Sequence, residues 1–356
     1  MKHIIYLFNI IYVLLLASCG PVSQRNNITI DLVNHKQLPV EEILLSDISE
    51  SIQMIHLESN DSALVSILMD IKLEANKIYL RALNGVFVFD LNGKFLNMVG
   101  AKGRGPKEYV NLNNLFPEND MVWLLDNSGK KALKFTDSGR FIESFELEQQ
   151  WWTTFCYSSG DSFIGFVPDN GQPNTDVMLA FFNTTEMIDS ILYRKPIQEA
   201  NIAWSFIHEA SFIHHGSQIK FKHVFNDTIY TIKDYKLIPD IVINLGTRKA
   251  NENARAIAVN SDPTTHDIFE GMDVVLLQGE NERYIYLEVV DTPIFYDKKE
   301  LKVHKWAFIL PEDERIDQEK AKKFVPKYID KNGYLIGETA PANEEDNPVI
   351  VLAKLK

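Results

Sequence analysis

Residues 100–109 read Gly100-Ala-Lys102-Gly103-Arg104-Gly105-Pro-Lys-Glu108-Tyr109 and concentrate most of the binding chemistry of this chain. Glycines let successive backbone amides turn toward one point and form a nest for an anion. Lys102 and Arg104 add cationic donors, and a guanidinium suits a carboxylate or a phosphate. Tyr109 offers a ring that stacks on a sugar or a base, with Glu108 in support. The same residues have a purely structural reading: the glycines permit a tight connection, Arg104 pairs with Glu108 or a neighbouring element, and Tyr109 is core. That reading carries more weight, because a glycine-rich loop outside a strand–helix context is no phosphate signature.

The remaining candidates are weaker. His208, His214, His215 and His223 do not stand at zinc-motif spacing. Asp90-Leu-Asn-Gly93 and Asp126-Asn-Ser-Gly129 resemble pieces of calcium loops but lack the full ligand series, so they read as turns. The acidic run Glu344-Glu345-Asp346 reads as a solvated turn. Cys156 lies in the apolar run Trp151–Tyr157 and reads as a small buried hydrophobe, with Trp151 and Trp152 in or near a core. Nucleophile elbows, phosphate-binding loops, zinc-protease helices and kinase signatures are absent. The sequence therefore assigns no catalytic residue, no metal and no cofactor.

The N-terminus carries an address. Lys2 precedes an apolar run from Ile4 to Ala17 that is too short to span a bilayer and has the length of a signal-peptide core. It ends in Leu16-Ala17-Ser18-Cys19, which resembles a bacterial lipobox, whose cysteine is acylated and becomes the new N-terminus. Residues 1–18 are then a signal peptide, and Cys19 is a lipid-attachment site holding the protein to a membrane. Residues 19–40 serve as a tether, and no acidic cluster follows Cys19, which favours a periplasm-facing protein. Formal charge is −13, and loss of Lys2 with the signal peptide makes it −13 − 1 = −14, which argues against nucleic acid as a partner. With Cys19 acylated, Cys156 is the other cysteine of the pair and no disulfide is available, so stability must come from packing.

A near-repeat phases the elements that position these residues. Phe87-Val-Phe-Asp-Leu-Asn-Gly93-Lys-Phe-Leu96 aligns with Leu133-Lys-Phe-Thr-Asp-Ser-Gly139-Arg-Phe-Ile142 at an offset of 139 − 93 = 46 residues. Short strands at that period form β-propeller blades. Alternating runs and Asn-Gly or Ser-Gly turns give blades over 67–100 and 112–147, then three more divergent ones over 151–193, 203–245 and 268–308. Gly333–Gly337 and Val349–Leu355 supply part of a sixth, which Ile52–Leu57 completes from the other end of the chain. Asn251–Val259 and Asp317–Tyr328, the latter with a stop near Pro326, read as helical insertions. The expected fold is all-β: a six-bladed propeller over residues 41–356.

Val88-Phe-Asp90, Gly93-Lys-Phe-Leu96 and Gly103-Arg-Gly-Pro-Lys-Glu-Tyr109 resemble an NHL-type propeller repeat. With Phe225-Asn-Asp-Thr-Ile-Tyr230, Phe295-Tyr-Asp-Lys-Lys299 and Glu344-Glu-Asp-Asn-Pro-Val349, the chain is similar to the six-bladed propeller lipoproteins of Bacteroides-like bacteria. The resemblance implies the fold and a place in the cell envelope, most simply the outer membrane, and it brings no catalytic residues. The expectation for function is a non-catalytic binding module or scaffold for a glycan, a peptide or an envelope protein, with Lys102, Arg104, Glu108 and Tyr109 as the ligand contacts; a pure scaffold would instead present an apolar patch on the propeller side. The alternative is an envelope glycan hydrolase or lyase, which a cluster of facing carboxylates or of His, Tyr and Arg would favour.

Overall fold

The computed structural model describes residues 28–147, 154–159, 161–169, 176–194, 196–197, 209–260, 271–317, 319 and 324–356. The signal peptide, Cys19, Trp151, Trp152 and His208 lie outside the described residues.

Six four-stranded antiparallel units make a closed propeller. The first blade is built from Leu68–Glu74, Lys77–Ala82, Gly85–Asp90 and Phe95–Met98. The second is Leu112–Glu118, Met121–Asp126, Lys131–Thr136 and Phe141–Glu146. The third is Thr154–Ser159, Ser162–Phe166, Val177–Asn183 and Met187–Leu192. The fourth is Ala210–His215, Gln218–His223, Thr228–Lys233 and Lys236–Asn244. The fifth is Val275–Glu280, Tyr284–Val289, Thr292–Asp297 and Lys302–His304. The sixth takes Pro326–Ile329, Tyr334–Thr339 and Val349–Leu355 from the C-terminus and Ser49–His56 from the N-terminal side. Ile55 pairs with Ile350 and Met54 with Val351, so the ring closes with the segment expected from sequence. The first strands of consecutive blades face one another around the axis. Between sixth and first blades, the Tyr328 hydroxyl donates to the Ile71 carbonyl and Lys331 meets Glu74 at 2.7 Å.

The central strands are apolar on both sides because each blade is sandwiched between two others. Ile78 and Leu80 point into the sixth–first seam, whereas Tyr79 between them points into the first–second seam. Val122 and Leu124 likewise face the first blade, and Trp123 and Leu125 the third. Period-2 side-chain geometry thus turns a run such as Met121-Val-Trp-Leu-Leu125 into two cores. One buried cluster fills each of the six seams.

The near-repeat has a structural cause. Phe89 meets Phe95, and Phe135 meets Phe141, each edge to face at 5.6 Å. Gly93 and Gly139 have φ of +81° and +87°. A Cβ on Gly93 would strike the carbonyl oxygen of His56, and one on Gly139 would lie 2.6 Å from that of Met98. Each glycine therefore lets a turn lie against the outer strand of the preceding blade. Gly93→Ala and Gly139→Ala should each cost about 1–3 kcal/mol through strain and overpacking. Gly216→Ala, also at positive φ but facing open space, should cost less, about 1 kcal/mol. Urea unfolding of the three variants checks the ranking, and equal losses would contradict the packing argument.

Three details differ from the sequence reading. The stretch expected as tether up to residue 40 is partly strand: Ile28–Asp31 pairs in parallel with the fourth blade's outer strand, and Ile30 and Leu32 are fully buried. The propeller body thus includes residues from Ile28 onward. Glu41–Leu44 pairs in parallel with Trp306–Ile309, which has left the fifth blade after His304. The segment Asp317–Tyr328, read as helical with a stop near Pro326, runs into strand at that stop: Pro326–Ile329 is the first strand of the sixth blade, and residues 318 and 320–323 lie outside the described residues. Proline starts a strand without forfeiting a needed donor, and pairing with Tyr334–Thr339 outweighs the helical spacing of Lys and Glu. The other expected helix is present as Glu252–Asn260.

Candidate functional site: one face of the propeller

Antiparallel alternation gives the ring two unlike faces. Turns such as Ala75-Asn76, Asn119-Asp120 and Asp234-Tyr235 close hairpins on one face. The opposite face carries the long connections, among them 57–67, 99–111, 340–348 and the described parts of the connections after Asn244 and after Ile309. Loops on a rigid scaffold are where recognition concentrates.

The loop 100–109 lies on that face, between first and second blades, and it is closed on itself. Gly103 N donates to Tyr109 O at 2.9 Å, and Gly105 N donates to the Glu108 carboxylate at 2.9 Å. The amides expected to cradle an anion are thus satisfied internally, with Glu108 acting as the loop's own anion. Tyr109 is 1 % exposed and packs with Val86, Leu112 and Leu133. Burial pushes its hydroxyl up to about 12, tempered by a bond to the Val86 backbone. The expected stacking role for Tyr109 fails on this geometry, since the ring has no face to offer. Lys102 donates to the Leu83 carbonyl. Arg104 is exposed and makes no hydrogen bond or ion pair with the described residues, so the expected pairing with Glu108 is absent. Of the four residues read from sequence, Arg104 alone presents an unengaged charged group.

Around this loop the structure gathers residues that sequence did not single out. Asn84 knits two segments together: its amide donates to Leu64 O at 2.8 Å, and its Oδ1 accepts from Ser66 N and Oγ at 3.1 and 2.8 Å. Leu83 N donates to Ile67 O at 2.9 Å. Ile67, 70 % exposed, thereby joins Leu64, Met69 and Leu83 in one exposed apolar patch beside Lys102. On the far side of the patch a cavity of about 430 Å³ opens at the sixth–first seam, walled by Ser66, Leu68, Phe324, Thr339, Pro341 and Pro348. Runs of exposed aliphatics at a strand entry were a signal available in the sequence. Their contiguity with Leu83 was not, because it depends on hairpin pairing.

A His–Tyr–Arg cluster exists between third and fourth blades, but it is sealed. Arg255, from the helix Glu252–Asn260, donates Nε to Glu209 at 2.7 Å and places Nη1 3.1 Å from Asp169. Its guanidinium lies 4.9 Å from the Tyr193 ring centroid. His223 Nε2 is 3.1 Å from Glu209. Glu209, His223, Arg255 and Asp169 are all buried. Burial alone would raise the Glu209 carboxyl, yet the bonds from His223 and Arg255 hold it below its ordinary range. Burial keeps His223 below the usual imidazole value. The acids, the imidazole and the guanidinium are spent on one another, so the cluster clamps the helix onto the ring rather than facing a substrate. Among the described residues no group of His, Cys, Asp and Glu is arranged to hold a metal ion.

Lys222, one residue before His223, is buried and donates to His223 O at 2.6 Å and to Asn226 O. Burial pulls its amine down to about 7. A neutral amine has two N–H donors, matching the two carbonyls. Because the folded pKa lies below the unfolded value of about 10.4, the unfolded chain binds more protons between these limits, and stability rises with pH there. The slope is at most about 1.4 kcal/mol per pH unit. Urea unfolding at pH 7 and pH 9 should show this rise in the wild type and not in Lys222→Met; parallel behaviour of the two proteins would refute it.

The fold and the face define a closed six-bladed propeller with one loop-bearing side. The chain belongs to the DUF4934 family, a domain of unknown function, whose model matches residues 27–354. A Bacteroides fragilis protein assigned as exported has a similar structure, at TM-score 0.68 and 16% identity over 92% of this chain and 99% of that one. A Bacteroides vulgatus member of the DUF4221 family aligns at TM-score 0.48 and 11% identity, covering 87% of this chain and 97% of that one. Virginiamycin B lyase from Staphylococcus aureus aligns at TM-score 0.44 and 12% identity, covering 85% and 99%. No curated protein matches the chain.

Proposed function

We propose that the protein is a non-catalytic binding module of the cell envelope whose loop-bearing face receives a peptide or protein segment. The observation that carries this reading is the apolar patch of Leu64, Ile67, Met69 and Leu83, set between the Lys102–Arg104 loop and the cavity at the sixth–first seam. Exposed aliphatics grouped on a rigid surface favour a polypeptide partner over a glycan, whose hydroxyls need polar and aromatic contacts. Arg104 supplies a charge that selects an acidic group at the patch edge. Anchorage through acylated Cys19, in the outer membrane and facing the periplasm, is the companion reading. The lipobox-like Leu16–Cys19, the resemblance to propeller lipoproteins with NHL-like repeats, and the exported assignment of the Bacteroides fragilis neighbour all support it.

A thermal-shift screen of peptide and glycan libraries tests the binding reading, with wild type, Ile67→Asp/Leu83→Asp and Arg104→Ala compared. Peptide hits lost in the double variant and weakened in Arg104→Ala, at an unchanged melting temperature of the free proteins, are expected. Glycan hits indifferent to these substitutions, or glycans cleaved during incubation, would overturn it in favour of a glycan-active protein. Intact mass of the mature chain isolated from cells reads the anchor: acyl chains on Cys19 are expected, and an unmodified cysteine would remove that part.

A further inference from the structure

Acids from two separate stretches of the chain meet at the cavity of the sixth–first seam. Residues 312–317 hold Glu312, Asp313, Glu314 and Asp317 against Arg315, and residues 338–346 hold Glu338, Glu344, Glu345 and Asp346 with no Lys or Arg. The fold joins them side by side. Ile316 and Pro341 form an antiparallel bridge, Ala342 N donates to Arg315 O at 2.9 Å, and Asp317 N donates to Ala340 O at 3.0 Å. Glu338, Ala340, Pro341 and Asp346 then stand on the cavity wall itself.

Two cations among the described residues are already engaged, while Lys320, Lys322 and Lys323, which precede Phe324 in the chain, lie outside the described residues. Lys327 meets Glu338 at 3.0 Å and Arg315 meets Asp313 at 2.8 Å. Glu312, Glu314, Glu345 and Asp346 are exposed and form no ion pair with the described residues. Leu68, Phe324, Pro341 and Pro348 give the cavity an apolar part of its lining beside Ser66, Glu338, Thr339 and Asp346, and exposed Ile67 and Val325 adjoin these residues in the chain. Its volume of about 430 Å³ is within the range of small-ligand and side-chain pockets.

Resting on the reading of this face as a polypeptide-binding surface, we infer that the cavity takes an apolar side chain of a basic segment, with lysines or arginines beside it facing Asp346 and Glu345. Apolar lining next to the exposed carboxylates of Glu345 and Asp346 rewards that combination. A neutral segment forgoes the charge attraction, an acidic one is repelled, and a bare cation leaves the apolar walls unfilled.

Fluorescence anisotropy with a labelled KKLFKK peptide and its EELFEE counterpart tests the assignment on the protein starting after Cys19. KKLFKK should bind and EELFEE should not, and binding should weaken as salt is raised. Glu345→Gln/Asp346→Asn, at exposed positions that leave folding intact, should weaken KKLFKK about tenfold. Ala340→Trp, which fills the cavity wall, should remove binding while the charges remain. Equal binding of both peptides, an unchanged affinity in the charge variant, or no binding of KKLFKK at millimolar concentration would each overturn the inference. Binding of EELFEE in an Arg104-dependent manner would overturn it while leaving the broader reading of the face standing.

Discussion

Arg255→Met should destabilise the protein by roughly 3–5 kcal/mol, the loss expected when one partner of a buried ionic group is removed. The guanidinium neutralises two carboxylates at once, Glu209 at 2.7 Å and Asp169 at 3.1 Å, and neither has solvent to replace it. Glu209 retains His223, and Asp169 retains the backbone amide of Ile197 at 2.7 Å, so the cluster is weakened rather than erased. The variant has its own pH signature. With Arg255 gone, the burial that raises the Glu209 carboxyl loses its main opposing charge, so protonation of Glu209 would favour the folded state, and the gap between wild type and variant should narrow as pH falls from 7 to 5. Adding Glu209→Gln to Arg255→Met should recover part of the loss. Urea unfolding of the single and double variants measures both effects. A loss under about 1 kcal/mol, or a gap that widens on acidification, would show that the cluster does not clamp the helix.

A chain lacking Ser49–His56 should lose about 5 kcal/mol or more, comparable with the whole stability of many domains. That strand supplies the entire outer edge of the sixth blade and pairs along Val349–Leu355. It contributes buried Ile55 and half-buried Ile52 and Met54 to the two adjoining seams. Its removal also bares the apolar edge Val349-Ile-Val-Leu352, a template for association with other chains. Circular dichroism should show loss of cooperative melting at or below 37 °C, with aggregation on concentration. A synthetic peptide of residues 41–58 added in trans should restore part of the transition. Cooperative melting at the wild-type temperature without the strand would mean that the ring does not depend on closure from both ends.

The sequence by itself determined the architecture. The alignment of Gly93 with Gly139 marks a real equivalence, since both glycines take positive φ and both lie against the preceding blade. The seams are legible for the same reason. A strand buried on both faces must be apolar at every position, and runs such as Val86-Phe-Val-Phe89 record that directly. Closure by Ile52–Leu57 followed from counting strands. The family match over residues 27–354 accords with how continuous that pattern is.

What only the tertiary structure decided is where polar groups meet. Arg104 and Tyr109 are five positions apart, and nothing local says that one is exposed and the other sealed between two blades. Glu209, His223 and Arg255 are spread along the chain, and their pairing depends on how the helix crosses the ring. The acidic stretches around Asp317 and Asp346 were ordinary surface charge until the bridge at Ile316 and Pro341 set them along one cavity. Periodicity reports burial because burial repeats with the strand. Charge pairing is set by contacts between blades, and those contacts leave no period in the chain.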